Sequence, residues 1–315
     1  MKANLSFGRK AASAGHYAVA TADLVLELDA EGRTLPIKVS YPTSGEAHPL
    51  LIFSHGLLGS KDGYQVLVRY LVSHGYVVIA PTHTDSAVYR KPKLSELKDM
   101  TPLFVDWHRR PRDISFILDN LSLIEAQIVP LAGRIDHSKI AMAGHSFGSH
   151  TGFLLAGVSL AKYQNEPGRV RPFFDERLKA FLLISPQGPG LALTHDSAFD
   201  ADSFAALRQP MMLITGTQDN FKRGQDYLWR SEPFHLMPPG AKHLMVIDGG
   251  CHGFGGIAGT RFPGAGPDNS EHVEWVKLST LTFFDTYLKN CQEAAQFLLD
   301  GDLAELSSAL NITHR

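Results

Sequence analysis

The chain has 315 residues, of which 44% are apolar and 20% are charged, and this is the composition of an ordinary globular protein. Its 32 acidic and 30 basic side chains leave a formal net charge of −2, which argues against an electrostatic grip on nucleic acid or on an anionic membrane surface. The two cysteines, Cys251 and Cys291, are too few for a disulfide framework or for an all-thiolate zinc site.

Short β-branched and aliphatic segments alternate along the chain with helix-compatible segments, a pattern typical of an α/β sheet with crossover helices. About eight strands are predicted, at residues 17–28, 35–41, 49–55, 76–82, 139–145, 180–185, 211–217 and 243–248. The first two alternate apolar and polar residues, which suits antiparallel strands with one solvated face. Later strands are continuously apolar, which suits parallel strands covered on both faces, so the sheet is expected to be mostly parallel.

Four helices are predicted between these strands, at residues 65–73, 113–129, 147–160 and 271–299. With no internal repeat or linker, residues 1–315 are expected to form a single domain with helices on both faces of the sheet. Three irregular stretches, at about 84–110, 186–208 and 253–267, are predicted to be loop insertions. Long loops in a compact domain are usually functional, so they are expected to form walls or lids of a site.

The first 17 residues contain no apolar segment of the roughly 7–15 residues that a secretory signal needs. No apolar run in the chain approaches the ~18 residues of a membrane span. We therefore expect a cytoplasmic protein without a membrane span, although a protein whose leader had been removed would look the same.

Histidine is abundant, with 15 residues, and histidine commonly binds metals. The closest pair, His145 and His150, lies five residues apart, so neither His-x-His nor His-x-x-x-His nor His-Glu-x-x-His occurs. We therefore predict neither a dedicated metal site nor a cofactor, although ligands distant in sequence can still converge.

The segment 144–148 reads Gly-His-Ser-Phe-Gly and matches the Gly-x-Ser-x-Gly pattern of a nucleophile elbow. It follows an apolar strand and opens a helix, which is the strand–turn–helix context that the elbow requires. A Cβ at position 144 or 148 would press on neighbouring backbone, so both positions need glycine. The helix N-terminus also directs backbone N–H groups toward an anion formed at Ser146, the predicted nucleophile.

A serine nucleophile needs a base, and in this fold an acid and then a histidine follow the serine in the sequence. Asp219 follows the strand at 211–217 and is the predicted acid, and His252 follows the last predicted strand and is the predicted base. His252 would take the Ser146 proton and return it to the leaving group, while Asp219 stabilises the imidazolium. The rival aspartates are Asp196, Asp200, Asp202 and Asp226.

The oxyanion of a tetrahedral intermediate needs hydrogen-bond donors. One predicted donor is the backbone N–H of Phe147, the residue after the nucleophile. The second is the backbone N–H of Leu57, in the glycine-containing turn that follows the third predicted strand.

Four segments carry a resemblance to a known family: 53–57 (Phe-Ser-His-Gly-Leu), 73–78 (Ser-His-Gly-Tyr-Val-Val), Arg112-Asp113 and 144–148. With them the chain resembles, over most of residues 35–255, the platelet-activating-factor acetylhydrolase-like and dienelactone-hydrolase-like esterases of the α/β-hydrolase fold. The resemblance implies that fold, the same three triad residues and the same two oxyanion donors. Dienelactone hydrolases have cysteine at the elbow, so Ser146 favours carboxylic-ester hydrolysis. Ser149 stands where the resembling group often has glycine.

The sequence therefore predicts a serine esterase that hydrolyses small or short-chain esters through an acyl-enzyme intermediate. Phospholipase, acetylhydrolase or polyester-hydrolase activity on the same triad stays open, as does a hydrolase-fold protein used only for binding. A dinucleotide-binding interpretation rests on residues 253–258, which read Gly-Phe-Gly-Gly-Ile-Ala. It is disfavoured because the glycines and prolines that follow discourage a helix there. The partner is expected to be a small-molecule ester, and the oligomeric state is left open.

Overall fold

The computed structural model describes residues 7–8, 10–28, 32–89, 91–93, 95–96, 101–166, 170–190, 195–220, 224–259, 262 and 264–315. Within these residues one sheet of nine strands forms the centre of the molecule. The strands are β1 (Val19–Glu27), β2 (Thr34–Pro42), β3 (His48–Ser54), β4 (Val77–Pro81), β5 (Ile135–His145), β6 (Leu178–Ile184), β7 (Met211–Gly216), β8 (Lys242–Ile247) and β9 (Leu310–His314).

The sheet order is β1-β2-β4-β3-β5-β6-β7-β8-β9. Strands β4, β3, β5, β6, β7 and β8 pair in parallel, whereas β1 with β2, β2 with β4, and β8 with β9 pair antiparallel. The outer strand β1 has partly exposed positions along its length, while β3, β4 and β7 are buried throughout. The mostly parallel sheet with an antiparallel start is therefore confirmed.

Helices lie on both faces of the sheet, as predicted. Those with described bounds are α1 (Gln65–Ser73), α2 (Arg109–Asp119), α3 (Leu121–Gln127), α4 (Phe147–Ala156), α5 (Tyr227–Leu236), α6 (Ser270–Tyr287) and α7 (Gln292–Leu299). The apolar sides of α1, α6 and α7 share one core with strand residues such as Leu51, and those of α2, α3, α4 and α5 share the other with residues such as Ile52. Because successive strand residues face opposite sides, each buried strand contributes to both cores.

Two predicted helices are each divided in the structure. The helix predicted at 113–129 begins earlier, at Arg109, and ends at Asp119, where the Asn120 side-chain amide donates a 2.8 Å hydrogen bond to the Phe116 carbonyl. The helix predicted at 271–299 is interrupted before α7, where Asn290 has a φ of 54°, a left-handed conformation that cannot continue a right-handed helix. Both breaks use asparagine, which tolerates such end conformations better than most residues.

Two elements were not predicted. Helix α5 contains Pro233, and an internal proline argues against predicting a helix from the sequence. The helix nevertheless forms, and Asp226 caps its first turn by accepting the N–H groups of Leu228 and Trp229. Strand β9 is five residues long and pairs antiparallel with β8 at the edge of the sheet. The expectation of about eight strands is therefore extended by one.

The first two predicted loop stretches are partly ordered by short 3₁₀ turns, whereas the described residues of the third form turns and irregular backbone. In the described residues the turns inside these stretches are Thr101–Phe104, His195–Ser197 and Ala201–Ala206. Further 3₁₀ turns lie at Val129–Leu131, Ala161–Tyr163 and Ala304–Leu306. Helix α2 starts inside the first stretch, so that stretch is shorter than predicted. Parts of the predicted loops, namely residues 90, 94, 97–100, 191–194, 260–261 and 263, lie outside the described residues.

In the described part of the chain, no helix combines the length and the apolar character needed to cross a bilayer.

Candidate active site

Ser146 lies at a strained turn between β5 and α4. Its φ of 54° and ψ of −112° lie outside the regions that a residue with a Cβ normally adopts. A Cβ on Gly144 would overlap the Gly148 carbonyl, and one on Gly148 would overlap the Ser54 carbonyl of β3. The predicted need for two glycines is therefore confirmed, and the turn brings Ser146 to the carboxyl edge of the parallel strands.

Hydrogen bonds to the neighbouring strand hold this turn in place. The Ser146 N–H donates to the carbonyl of Ile184, the last residue of β6, at 2.8 Å. The Ser149 hydroxyl lies 2.7 Å from the same carbonyl and 2.9 Å from the Gly144 carbonyl. Ser149, which departs from the glycine of the resembling group, thus ties the start of α4 to β5 and β6.

The structure brings the three predicted catalytic residues into one chain of hydrogen bonds. The Ser146 hydroxyl lies 3.0 Å from His252 Nε2, and His252 Nδ1 lies 2.7 Å from Asp219 Oδ1. Ser146 and His252 are partly exposed, whereas Asp219 is fully buried. The distances suit proton transfer from the hydroxyl to an imidazole whose other nitrogen is oriented by a carboxylate.

Asp219 is held ionised by its surroundings. Burial alone would raise the pKa of the Asp219 carboxyl, but the nearby charges of His252 and Arg230 and hydrogen bonds from His252 and Ser185 outweigh it and hold the pKa below the usual range. Arg230, a buried residue of α5, places its Nε 3.1 Å from Asp219 Oδ1. Sequence reasoning missed this partner because the helix that carries it was not predicted.

A second group contacts the same imidazole nitrogen. Ser185 follows β6, is fully buried, and places its hydroxyl oxygen 2.8 Å from His252 Nδ1. Its φ of 52° is also in the left-handed region, so Ser146 and Ser185 are both strained at adjacent strand ends. The sequence signal that could have identified Ser185 is its place directly after an apolar parallel strand, where site residues of such sheets collect.

The rival aspartates lie in other roles. Asp226 caps α5, and Asp200 accepts the Asp202 N–H at the start of a 3₁₀ turn. Asp196 is exposed. Asp219 is therefore the candidate acid that the structure brings to His252.

One predicted oxyanion donor, Phe147, follows Ser146 directly in the chain, and the other, Leu57, lies in the turn after β3, where the neighbouring Gly56 packs against His145. Phe147 is the first residue of α4, so its N–H has no carbonyl in a preceding helical turn to accept it. The Leu57 N–H, in the turn after β3, donates to no other group among the described residues. The Phe147 ring is buried and packs on the Phe104 ring at a centroid distance of 4.2 Å.

His145, the residue before the candidate nucleophile, connects the oxyanion turn to the candidate base. The Gly56 N–H donates to the Tyr64 hydroxyl at 3.2 Å, and that hydroxyl lies 2.8 Å from His145 Nδ1. His145 Nε2 lies 2.8 Å from the His252 carbonyl oxygen, which only an N–H can satisfy. Burial, with a smaller effect of His252, lowers the pKa of His145 to about 3, so the ring is neutral and the chain is fully paired.

A further serine, histidine and aspartate form a buried chain beside the oxyanion turn. The Ser54 hydroxyl lies 3.0 Å from His83 Nε2, and His83 Nδ1 lies 2.8 Å from Asp113 Oδ2. Asp113 belongs to the Arg112-Asp113 segment that carried the family resemblance. This arrangement could not be predicted from the sequence, because its members come from three segments far apart in the chain.

The loop at 253–267 lies against the candidate base. The Phe262 ring meets the His252 ring edge-on at a centroid distance of 5.8 Å. Residues 252–258 form consecutive turns and no helix begins there, so the context required for dinucleotide binding is not met in this described segment. The expectation that this loop borders the site is supported by that ring contact.

The part of the chain that the structure describes contains no group of three or more His, Cys, Asp and Glu side chains arranged to hold a metal ion.

The order of the strands, with a strained serine between β5 and α4 and a histidine after β8, defines the α/β-hydrolase fold. Comparison with known proteins agrees with this fold assignment. The family model described as Chlorophyllase matches residues 9–165, just under half of the chain. That match contains Leu57 and Ser146 but ends before Asp219 and His252.

Three relatives illustrate the similarity. Chlorophyllase type 0 of Chenopodium album is 27% identical over 121 residues, 38% of this chain and 32% of that protein. A platelet-activating factor acetylhydrolase of Canis lupus familiaris is 31% identical over 140 residues, 34% of this chain and 32% of that protein. A putative phospholipase A2 of Schizosaccharomyces pombe is 25% identical, over 40% of this chain and 39% of that protein.

The chain thus spans about a third of the length of the curated relatives it matches. The resemblance to platelet-activating-factor acetylhydrolase-like ester hydrolases of the α/β-hydrolase fold is confirmed. The predicted resemblance to dienelactone-hydrolase-like esterases stays a prediction.

Proposed function

We propose that the protein is a carboxylic-ester hydrolase that uses Ser146 as nucleophile, His252 as general base and acid, and Asp219 as the acid that orients His252. The observation that carries this proposal is the continuous hydrogen-bond chain from the Ser146 hydroxyl through His252 to Asp219. The ionised, buried carboxylate of Asp219 suits the stabilisation of a His252 imidazolium. The similarity to ester hydrolases supports the reaction class.

In the proposed reaction, the Ser146 oxygen attacks the ester carbonyl carbon while its proton passes to His252 Nε2. The carbonyl oxygen becomes an oxyanion that accepts the backbone N–H groups of Leu57 and Phe147. When the tetrahedral intermediate collapses, the C–O bond to the alcohol breaks and His252 returns the proton to the departing oxygen. A water molecule, deprotonated by His252, then attacks the acyl-enzyme and releases the carboxylic acid.

The proposed substrates are small, short-chain esters. One similar protein is described as an acetylhydrolase and another as a putative phospholipase A2, so hydrolysis of an acetyl ester on a phospholipid is a specific second candidate. The partly buried Phe262 ring, 5.8 Å from the His252 ring, favours an uncharged group next to the scissile bond. Polyester hydrolysis by the same residues stays a prediction.

The test is a hydrolysis assay with p-nitrophenyl acetate, butyrate and octanoate, run on the purified chain and on Ser146→Ala. We expect turnover that falls with acyl length and is lost in the variant. A phosphocholine lipid with an sn-2 acetyl group, one with a long sn-2 acyl group, and a polyester film separate the substrate candidates. Turnover by Ser146→Ala at the wild-type rate would overturn the proposal.

No cofactor is proposed, and dialysis against EDTA is expected to leave the ester hydrolysis rate unchanged. A cytoplasmic location and a single domain over residues 1–315 also stay predictions. Cell fractionation tests the first. A single cooperative unfolding transition, seen at the same denaturant concentration by tryptophan fluorescence and circular dichroism, tests the second.

A further inference from the structure

A guanidinium group lies buried beside the oxyanion turn. Arg110, in the first turn of α2, is 1% exposed, and Asp85 is 5% exposed at the side chain. The Nε and Nη2 atoms of Arg110 lie 2.8 and 2.7 Å from the two carboxylate oxygens of Asp85, a bidentate pair. Burying two charges costs desolvation energy, and such pairs are often no better for stability than apolar side chains of the same size. Fold stability alone therefore does not account for this pair.

The remaining donors of Arg110 hold the backbone that leads to Leu57. Nη1 donates to the His55 carbonyl at 2.7 Å, and Nη2 donates to the Gly56 carbonyl at 3.3 Å. The Gly56 carbonyl and the Leu57 N–H belong to one peptide group, and in a planar trans peptide they point in opposite directions. The same carbonyl also accepts the Gly59 N–H at 3.1 Å and lies 2.6 Å from His55 Nδ1, so Arg110 acts together with these two groups to set the direction in which the Leu57 N–H points.

The same guanidinium contacts the residue that carries the other donor. Its Cζ lies 4.2 Å from the centre of the Phe147 ring, a cation–π contact in a buried setting. Asp85 also reaches the oxyanion turn, because the Leu58 N–H lies 3.4 Å from Asp85 Oδ2. One buried ion pair thus contacts the backbone of the turn that carries Leu57 and the side-chain ring of Phe147.

We propose that Arg110, held by Asp85, is a positioning residue that sets the placement of the Leu57 and Phe147 N–H groups relative to each other. This rests on the proposed esterase function, because it concerns the stabilisation of that reaction's oxyanion. Arg110 touches neither the triad nor the reacting atoms. Its planar guanidinium donates hydrogen bonds to Asp85 and to two backbone carbonyls at once, which a lysine ammonium cannot do in the same geometry.

The decisive variant is Arg110→Lys, which keeps the positive charge but removes the planar guanidinium group and its several N–H donors. We expect kcat to fall about 10- to 100-fold with KM within about threefold, since loss or misplacement of one oxyanion donor has effects of this size. The affinity for a trifluoromethyl ketone, whose adduct with Ser146 carries an oxyanion, should fall by the same factor. The affinity for the parent methyl ketone should change little.

The matched control is Arg177→Lys. Arg177 also makes a bidentate pair, with Nε and Nη2 at 2.8 and 2.6 Å from the oxygens of Asp175, and it also pairs with Asp119 of α2. Its replacement should leave kcat and both ketone affinities unchanged. If Arg110→Lys does not fold, Asp85→Asn receives the same measurements and is expected to shift them in the same direction.

A folded Arg110→Lys with wild-type kcat and trifluoromethyl ketone affinity would overturn the inference. An equal loss of affinity for both ketones would also overturn it, because the effect would then be a general disturbance of the site. If the wild-type chain shows Ser146-dependent turnover in either case, the proposed function stands and only the positioning role fails. If the wild-type chain shows no turnover, both fail together.

Discussion

The described residues contain two separate serine–histidine–aspartate chains with nearly equal hydrogen-bond lengths. In the candidate active site the two distances are 3.0 and 2.7 Å, from Ser146 to His252 and from His252 to Asp219. In the buried chain they are 3.0 and 2.8 Å, from Ser54 to His83 and from His83 to Asp113. The two chains differ in access, backbone conformation and charge.

Access differs most. The His252 side chain is 16% exposed, whereas Ser54 and His83 are 0% exposed, so no ester carbonyl can approach the Ser54 oxygen. Ser146 also lies at a strained turn before a helix N-terminus, whereas Ser54 is the last residue of β3. In our proposal the oxyanion donors, the N–H groups of Leu57 and Phe147, therefore serve Ser146.

The acids also differ in charge. Asp219 has Arg230 at 3.1 Å, and its pKa is held below the usual range. Burial raises the pKa of Asp113 to about 7, since its closest cation in an ion pair, Arg33, is 3.9 Å away. Burial and the charge of Arg110 hold the pKa of His83 well below its usual range. The comparison teaches that distance and residue type alone do not make a catalytic chain, because exposure and electrostatics decide what it can do.

The largest expected difference between the two hydrogen-bond chains is the effect on kcat of replacing their serines. Ser146→Ala should lower kcat by about 10⁴- to 10⁶-fold, because it removes the nucleophile and leaves only the contribution of binding and the oxyanion donors. Ser54→Ala should leave kcat within about tenfold of wild type, since the hydroxyl makes a neutral hydrogen bond of about 1 kcal/mol with His83 and only a long 3.5 Å contact with Arg110 Nη1. Mass spectrometry after fluorophosphonate treatment should find the label on Ser146. A label on Ser54 would contradict the distinction drawn from burial.

The aspartates should differ by almost as much. Asp219→Asn should lower kcat about 10⁴-fold, because an amide cannot stabilise the imidazolium and favours the wrong tautomer of His252. Asp113→Asn replaces an acid whose pKa of about 7 leaves it largely protonated at mildly acidic pH, so kcat at pH 6 should stay within about tenfold of wild type. Steady-state kinetics at pH 6 on both variants check this, and equal losses would mean that both chains take part in the reaction.

The pH dependence of stability should separate the two acids again. With a folded pKa of about 7 against about 3.9 unfolded, Asp113 binds more protons when folded between these values, so the free energy of unfolding falls as pH rises through them. From pH 5 to pH 8, Asp113→Asn should gain about 2–3 kcal/mol relative to wild type, at 1.36 kcal/mol per pKa unit. Urea unfolding at several pH values measures the difference.

Asp219→Asn is the control for that measurement. The folded pKa of Asp219 lies below its unfolded value, so the stability it adds is present above that unfolded value and is lost only at more acidic pH. Between pH 5 and pH 8 it is ionised in both states, so its own carboxyl adds no slope to the stability difference between Asp219→Asn and wild type. A flat difference for Asp113→Asn would show that burial does not raise its pKa.

Most of the sheet could be predicted from sequence because buried parallel strands are short, continuous apolar runs. Strand β9 could not, since its five residues alternate like many exposed segments and gain stability only by pairing with β8. Helix breaks at Asn120 and Asn290 were missed for a related reason. A side-chain cap or a single left-handed residue interrupts a helix without changing its apolar periodicity.

The candidate site divides in the same way. Ser146, Asp219 and His252 could be predicted because each follows a recognisable strand and the fold fixes their order. Ser185, Tyr64 and Arg110 could not, because their roles depend on contacts between segments far apart in the chain. Arg110 in particular lies in a basic run that suggests a solvated surface, and only packing against β3 and α4 reveals it as buried.

The smallest expected effect concerns the nitrogen that orients each imidazole. His252 Nδ1 has two partners within hydrogen-bond distance, Asp219 and Ser185, whereas His83 Nδ1 has Asp113 as its hydrogen-bond partner. Ser185→Ala should lower kcat by about two- to tenfold with little change in KM, because the Asp219 carboxylate stays in place as the partner of His252 Nδ1 and a single hydrogen bond contributes about 0.5–1.5 kcal/mol. Alanine tolerates the left-handed φ no better than serine, so the backbone strain is matched. If kcat fell as far as in Asp219→Asn, Ser185 would have to be an essential partner of His252, and the orienting role would no longer belong to the carboxylate alone.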